Sequence, residues 1–170
     1  NFNLRNEIIL KMPFEYSFLV KLSKKIFFEI KNNFTKQFKI IFLDCDNTLW
    51  GGVAGEDGYN KIEYSSGNLG IVYQKFQKHL LSLKKQGFIL TLVSKNEEKT
   101  VWDVLKKRKM ILQKKDFISP KINWIDKSVN IKTILNQLNL RASDSIFIDD
   151  NYLELSKVKK NIKEISITSS

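Results

Sequence analysis

Three short apolar runs, KIIFL at Lys39–Leu43, FILTLV at Phe88–Val93 and SIFI at Ser145–Ile148, each stop at a polar side chain, and stretches of helical periodicity separate them. Runs this short cannot cross a bilayer and have the length of buried strands. Strands joined through helices need crossovers, and crossovers of this length give parallel pairing with helices on both faces. The expected fold is therefore α/β, a Rossmann-like three-layer sandwich around a mostly parallel central sheet.

The intervening segments fit this plan. From Phe14 to Asn33 the residues Phe14, Phe18, Leu19, Leu22, Ile26, Phe27 and Ile30 recur at three- and four-residue steps between lysines. That pattern predicts an amphipathic helix, packed on a protein core in preference to a membrane surface. We expect residues 1–37 to be a helical segment, the remnant or join of an upstream region, and 38–170 to be the α/β domain. Asn47 to Gly70 is glycine-rich and reads as a long loop or flap. A helix over Ile71–Lys85 should stop at Gly87, and Asn96 should cap a helix that opens on Glu97 and Glu98 and runs to Lys107. A short strand is expected at Phe117–Ser119, a helix at Ser128–Leu140, another at Tyr152–Lys160 and a terminal strand at Glu164–Ile167.

Cys45 is the only cysteine, so no internal disulfide can form, and no secretion signal precedes Met12; the expected setting is the cytoplasm. Residue 1 is Asn, so the chain reads as a piece of a longer product. The formal net charge of +11 would attract phosphates, nucleic acid, anionic lipid or an acidic protein without choosing among them. Only Arg5, Arg108 and Arg141 offer a planar fork, so nucleic acid is weakly supported and a membrane is not expected.

A parallel sheet presents every strand's C-terminal end at one edge, where ligands bind. The three apolar runs thus bring Asp44 and Asp46, Ser94, and Asp149 and Asp150 to one place. Asp44 and Asp46 are two residues apart and share a side of extended backbone, with Cys45 pointing the other way. Four neighbouring carboxyl groups repel one another unless a cation or proton intervenes. With no His or Cys cluster among them, the donors suit a hard ion, Mg²⁺.

The order DxDxT at one strand end, Ser at the next, a Lys further on and a DD pair after another strand resembles the four motifs of haloacid dehalogenase (HAD) superfamily phosphatases. The resemblance implies that Asp44 is the nucleophile that becomes an aspartyl-phosphate and that Asp46 is the general acid and base. It implies that Ser94 bonds the phosphoryl group and that a Lys pairs with its charge. Lys127, in DKSVN, fits the family spacing better than Lys121, in SPKINW. Mg²⁺ would be held by Asp44, Asp149, Asp150 and, by the same analogy, Asp46 through its backbone carbonyl. Thr48 would support the turn; Thr48, Lys95, Asn96, Gly51 and Gly52 are the candidate substrate-binding residues.

The stretch LDCDNTLWGGVAGEDG at Leu43–Gly58, with KINW, KSVNI and IFIDDN, resembles the FkbH-like branch of subfamily IIIC, over about Phe14 to Ile165. Between Asp44 and Ser94 the glycine-rich stretch and one helix leave no room for a large cap domain. The branch implies a phosphorylated small molecule as substrate, 1,3-bisphosphoglycerate, whose glyceryl unit passes to the phosphopantetheine thiol of an acyl carrier protein. Its members often carry an upstream SGNH-like region and a downstream acetyltransferase-like region. A capless phosphatase for a small metabolite or phosphoprotein, and a non-catalytic module docking a carrier or nucleic acid, are the alternatives. Within the chain, Cys45 is expected to be an inert buried thiol, His79 a helix-surface residue, the glycines a substrate-facing flap or simple turn formers, and Trp50, Trp102 and Trp124 packing residues, with Trp50 able to meet substrate.

Overall fold

A computed structural model describes Ser23 and residues 38–65 and 67–170; the helix expected over Phe14–Asn33 lies outside the described residues. Strand β1 (Ile40–Leu43) is followed by α1 (Ala54–Lys61), α2 (Gly67–Lys85), β2 (Ile89–Ser94), α3 (Glu98–Lys107), β3 (Lys121–Ile122), α4 (Lys127–Leu138), β4 (Ser145–Asp149), α5 (Tyr152–Asn161) and β5 (Ser166–Ser169). The strands form one five-stranded sheet in the order β3-β2-β1-β4-β5. Every pairing is parallel, with Ile41 opposite both Leu90 of β2 and Ile146 of β4.

Period-two alternation along β1 divides the core into two layers. Ile41 and Leu43 face one side, where they join Leu90, Leu92, Leu80, Val101 and Leu105. Ile40 and Phe42 face the other, with Val93, Phe147, Ile131, Ile134, Leu155 and Val158. Each such side chain removed from water contributes roughly 1.5–3 kcal/mol, so the central strand is held from both faces. This is the small HAD-like α/β fold, with no large cap domain among the described residues. No helix among the described residues is long and apolar enough to cross a membrane.

Several boundaries differ from expectation for local reasons. The third strand is Lys121–Ile122, not Phe117–Ser119: Ser119 takes φ +48 and turns the chain, although the Ile118 N–H still reaches Leu90 O at 2.9 Å. The last strand begins at Ser166, because Ile165 N is still bonded to Ile162 O in the turn that leaves α5. The glycine-rich stretch is not an open loop throughout. Ala54–Lys61 is helical with a break at Gly58 (φ 68, ψ 163), and Gly51 pairs with Glu63 through two backbone bonds of 3.1 and 2.9 Å. Acidic Glu56 and Asp57 in the first turn favour that helix, and the Asp57 side chain accepts from Val53 N at 2.8 Å.

Candidate active site

At the C-terminal edge β1 and β4 stay in register to their ends: Asp44 N donates to Ile148 O at 3.0 Å. That bond sets Asp44 beside Asp149 and Asp150. Oxygens of these three carboxylates lie within 4.8 Å of one another, with Asp44 and Asp149 buried and Asp150 exposed. Asn151 N fixes Asp149 by donating to its Oδ1 at 2.9 Å.

Lys127 enters this cluster from the first turn of α4. Its Nζ is 2.9 Å from Asp44 Oδ1 and 2.7 Å from Asp149 Oδ2. The side chain is buried, and burial alone would lower its pKa; the charges of Asp44 and Asp149 overcome that and raise it, so the ammonium persists. Burial, and then the Asp44 charge, push Asp149 up to about 6 against the pull of Lys127. Asp150 is raised in the same way, by burial first and Asp44 second. One ammonium facing three carboxylates leaves an excess of negative charge held by hard oxygens, which is the donor set a small divalent cation requires. Lys121, the other candidate, sits half-buried in β3.

Asp46 turns elsewhere. Its Oδ1 accepts from the Trp50 indole N–H and from Ala54 N, both at 2.9 Å, and its Oδ2 accepts from Asn96 Nδ2 at 2.8 Å. The side chain is outside the three-carboxylate cluster and borders a cleft of about 550 Å³ that Lys95, Asn96, Glu97 and Trp124 also line. Burial raises the Asp46 pKa above its ordinary value, against the lowering effect of the Ala54 and Trp50 bonds.

The remaining candidates fall into two groups. Ser94 is buried at the end of β2, Asn96 is buried beside Asp46, and Lys95 forms an ion pair of 2.7 Å with Glu154. Asn96 does not cap α3 as expected; Glu97 occupies the cap position, and the Asn96 side chain accepts from Glu97 N while bonding Asp46. Thr48, Gly51 and Gly52 lie outside the cleft and build the turn behind it. Thr48 borders an apolar hollow with Val72, Tyr73 and Phe76. A Cβ at Gly51 would come within 3.0 Å of Tyr73 Cε2, and Gly52 has φ +100 with its N–H bonded to Asn47 Oδ1 at 2.9 Å. Cys45 packs in the layer with Leu43, and burial, then the Asp44 charge, keep its thiol well above the ordinary value.

Three residues that matter here go beyond what the sequence pattern assigns. Asp126 caps α4, accepting from Ser128 N at 2.8 Å, and so aims Lys127; an Asp directly before a helical run is a legible signal. Trp50 is fully buried with its indole on Asp46, a contact that no spacing rule announces. Trp124 is the opposite case. Expected to pack, it is instead 75% exposed at the cleft edge.

No family model and no curated protein matches the chain. Among solved structures, it is similar to the N-terminal part of protein BF1531 from Bacteroides fragilis, described as containing a phosphatase domain and complexed with Mg. That match has 29% identity and a TM-score of 0.78, and covers 98% of this chain and 45% of that one. The chain thus spans less than half the length of that structure. It also resembles the magnesium complex of HAD family enzyme bt-2542 from Bacteroides thetaiotaomicron (11% identity, TM-score 0.54, 79% of this chain and 94% of that one). A HAD-superfamily hydrolase of subfamily IA from Geobacter sulfurreducens matches at 11% identity and TM-score 0.52, over 78% of this chain and 89% of that one. At such identities the last two speak for the fold alone.

Proposed function

We propose that this chain is a magnesium-dependent phosphatase of the HAD superfamily that works through a phosphoryl-aspartate at Asp44. The observation that carries the reading is the Lys127 bridge between Asp44 and Asp149, with Asp150 alongside and the hydrogen-bonded Asp46 at the adjoining cleft. The Mg-bound phosphatase domain of the Bacteroides fragilis protein supports it.

In this reading the Asp44 carboxylate attacks phosphorus while the ester P–O bond breaks, and the departing oxygen takes the proton of Asp46. Asp46, now a carboxylate, removes a proton from water; that water attacks phosphorus, the Asp44–phosphorus bond breaks and inorganic phosphate leaves. In this reading Lys127 holds Asp44 and balances negative charge, and Ser94, at the end of β2, would bond a phosphoryl oxygen. Mg²⁺ would be held by Asp44, Asp149, Asp150 and, by the family resemblance, the Asp46 carbonyl, and would supply charge neutralisation at the phosphoryl oxygens.

The finer reading is that the enzyme belongs to the FkbH-like branch and acts on a phosphoglyceryl unit in acyl-carrier-protein-linked biosynthesis in the cytoplasm. The extended motif at Leu43–Gly58 and a site with no large cap over it among the described residues support this, since an uncovered site admits a tethered substrate. The test is incubation with Mg²⁺, 1,3-bisphosphoglycerate and a phosphopantetheinylated carrier protein, reading phosphate release and mass gain on both proteins. Phosphate release without acyl transfer leaves the phosphatase and removes the carrier role. Absence of both, with aryl phosphates hydrolysed no faster by the wild type than by Asp46→Asn, removes the enzyme.

A further inference from the structure

The cleft beside Asp46 lies outside the metal-binding cluster and is where a leaving group protonated by Asp46 must sit. Its walls differ in character from the phosphoryl site. Glu56, Glu97 and Asp103 face it, and Lys95 is the one lysine among its lining residues. Lys95 is committed to Glu154 at 2.7 Å, and Asp103 is paired with Lys107 at 3.3 Å. Glu56 and Glu97 have no ion pair among the described residues; Glu97 accepts only from Thr100 and is exposed, as is Glu56. A second anion in this cleft would meet two uncompensated carboxylates and no free cation among the lining residues.

The cleft is also lined by a large exposed aromatic side chain. Trp124 stands exposed there on a loop that is nonetheless fixed: Asn123 N donates to Ser94 O at 3.1 Å, and Asn123 Oδ1 accepts from Ile125 N at 3.0 Å and from Asn130 Nδ2 at 2.8 Å. A large aromatic held open to solvent by bonds on both sides offers a ready-made platform for an uncharged chain.

We propose that this cleft binds the part of the substrate beyond the phosphoryl group and selects one that is uncharged, an ester, thioester or amide in place of a free carboxylate or second phosphate, with Glu56 and Glu97 repelling anions and Trp124 supporting the neutral chain. The proposal rests on the phosphatase reading and narrows it. A phosphoglyceryl group joined to a carrier through its carbonyl meets the requirement; free phosphoglycerate and 1,3-bisphosphoglycerate, each with a second anion, do not, so on this proposal bisphosphoglycerate is the acyl donor to the carrier and the carrier-linked phosphoglyceryl group is what the phosphatase site hydrolyses.

The experiment compares 3-phosphoglycerate with its methyl ester, which differ in one charge at the far end, with p-nitrophenyl phosphate as reference and Asp44→Asn as blank. The protein should turn over the ester with a kcat/KM about tenfold above that of the acid, the size expected for one charge near two partly hydrated carboxylates. In the Glu56→Gln, Glu97→Gln double variant that ratio should shrink severalfold, chiefly through a lower KM for the acid. Trp124→Phe should remove the tryptophan-fluorescence change produced by methyl glycerate without Mg²⁺. If p-nitrophenyl phosphate is hydrolysed by the wild type and spared by Asp44→Asn, while acid and ester are equal substrates or the double variant keeps the ratio, the selectivity is wrong and the phosphatase stands. If p-nitrophenyl phosphate survives as well, both fall.

Discussion

The Lys127 ammonium reaches Asp149 Oδ2 at 2.7 Å across the gap between α4 and β4, with both side chains buried. The same nitrogen touches Asp44 at 2.9 Å, so one cation holds two strand ends together. Replacing it with the similarly shaped but uncharged Met should leave two buried carboxylates without compensation. We expect Lys127→Met to lose about 3–5 kcal/mol in urea unfolding of the metal-free protein. Mg²⁺ should restore a larger share of stability in the variant than it adds to the wild type, because the repulsion it relieves is greater. Equal stabilisation of the two by Mg²⁺ would show that the ion does not bind at these carboxylates.

The acid–base state of the cluster gives a second expectation. Asp149 is raised to about 6 from an ordinary 3.8, by burial first and the Asp44 charge second. A folded-state pKa above the unfolded one means the folded protein holds the proton longer, so this group's stability is present at low pH and lost as pH rises from 3.8 through 6. Asp46 and Asp150 are raised too and act with the same sign. Asp126, lowered to about 2 by its bonds to Lys157 and Ser128 against the cost of burial, acts oppositely, but its contribution is already complete above 3.8. Metal-free protein should therefore lose up to about 3 kcal/mol between pH 4 and pH 7. Saturating Mg²⁺ should flatten or invert the slope, since it binds the ionised carboxylates. Urea titrations at several pH values, with and without the ion, check both parts.

Much of this is legible in the chain, and for a physical reason. Apolar runs of strand length that end in Asp or Ser and sit between helical patterns read as buried strands stopping at a wet edge, so β1, β2 and β4, with Asp44, Ser94 and Asp149 at their ends, follow from patterning. The family spacing favours Lys127 over Lys121, and Lys127 is the lysine found on Asp44 and Asp149. What patterning does not reveal depends on single backbone angles and on returns of the chain. Ser119 at φ +48 moves β3 beyond Pro120, and nothing in a serine announces that conformation. The helix at Ala54–Lys61 is hidden by its glycines, and the bonds to Asp46 come from three separate places, Trp50 in the turn, Ala54 at the start of that helix and Asn96 beyond β2, which only the folded chain brings together.

The glycines behind the site separate into required and dispensable ones. Gly52 at φ +100 is in a region costly to other residues, and a Cβ on Gly51 would press on the Tyr73 ring at 3.0 Å and Glu63 Cβ at 3.1 Å. At Gly55, inside α1, an added methyl group would meet nothing within 4 Å, and φ is not positive. Gly52→Ala should thus cost about 1–2 kcal/mol, and Gly51→Ala should destabilise unless Tyr73 shifts. Gly55→Ala should stabilise by roughly 0.5–1 kcal/mol through helix propensity. Thermal melts of the three variants test the contrast. Similar losses in all three would mean that the stretch is held by something other than these local constraints.

The cap of α4 links stability to catalysis. Asp126 accepts from the backbone N–H and the hydroxyl of Ser128, at 2.8 and 2.6 Å, and pairs with Lys157 of α5. It therefore sets the first turn, from which Lys127 extends. Asp126→Ala should cost about 1–2 kcal/mol, as loss of a cap and of a partly exposed ion pair does. Its effect on turnover should exceed what that loss of folded protein explains, because a misplaced Lys127 also misplaces Asp44. Asp126→Asn keeps an acceptor for Ser128 N and gives up the charge facing Lys157. If the cap is what positions Lys127, the Asn variant should recover most of kcat at saturating Mg²⁺ while remaining less stable than wild type above about pH 4, the difference vanishing as pH falls towards 2. If Ala and Asn lower kcat equally, the charge on Asp126 acts on the site directly and the positioning role is wrong.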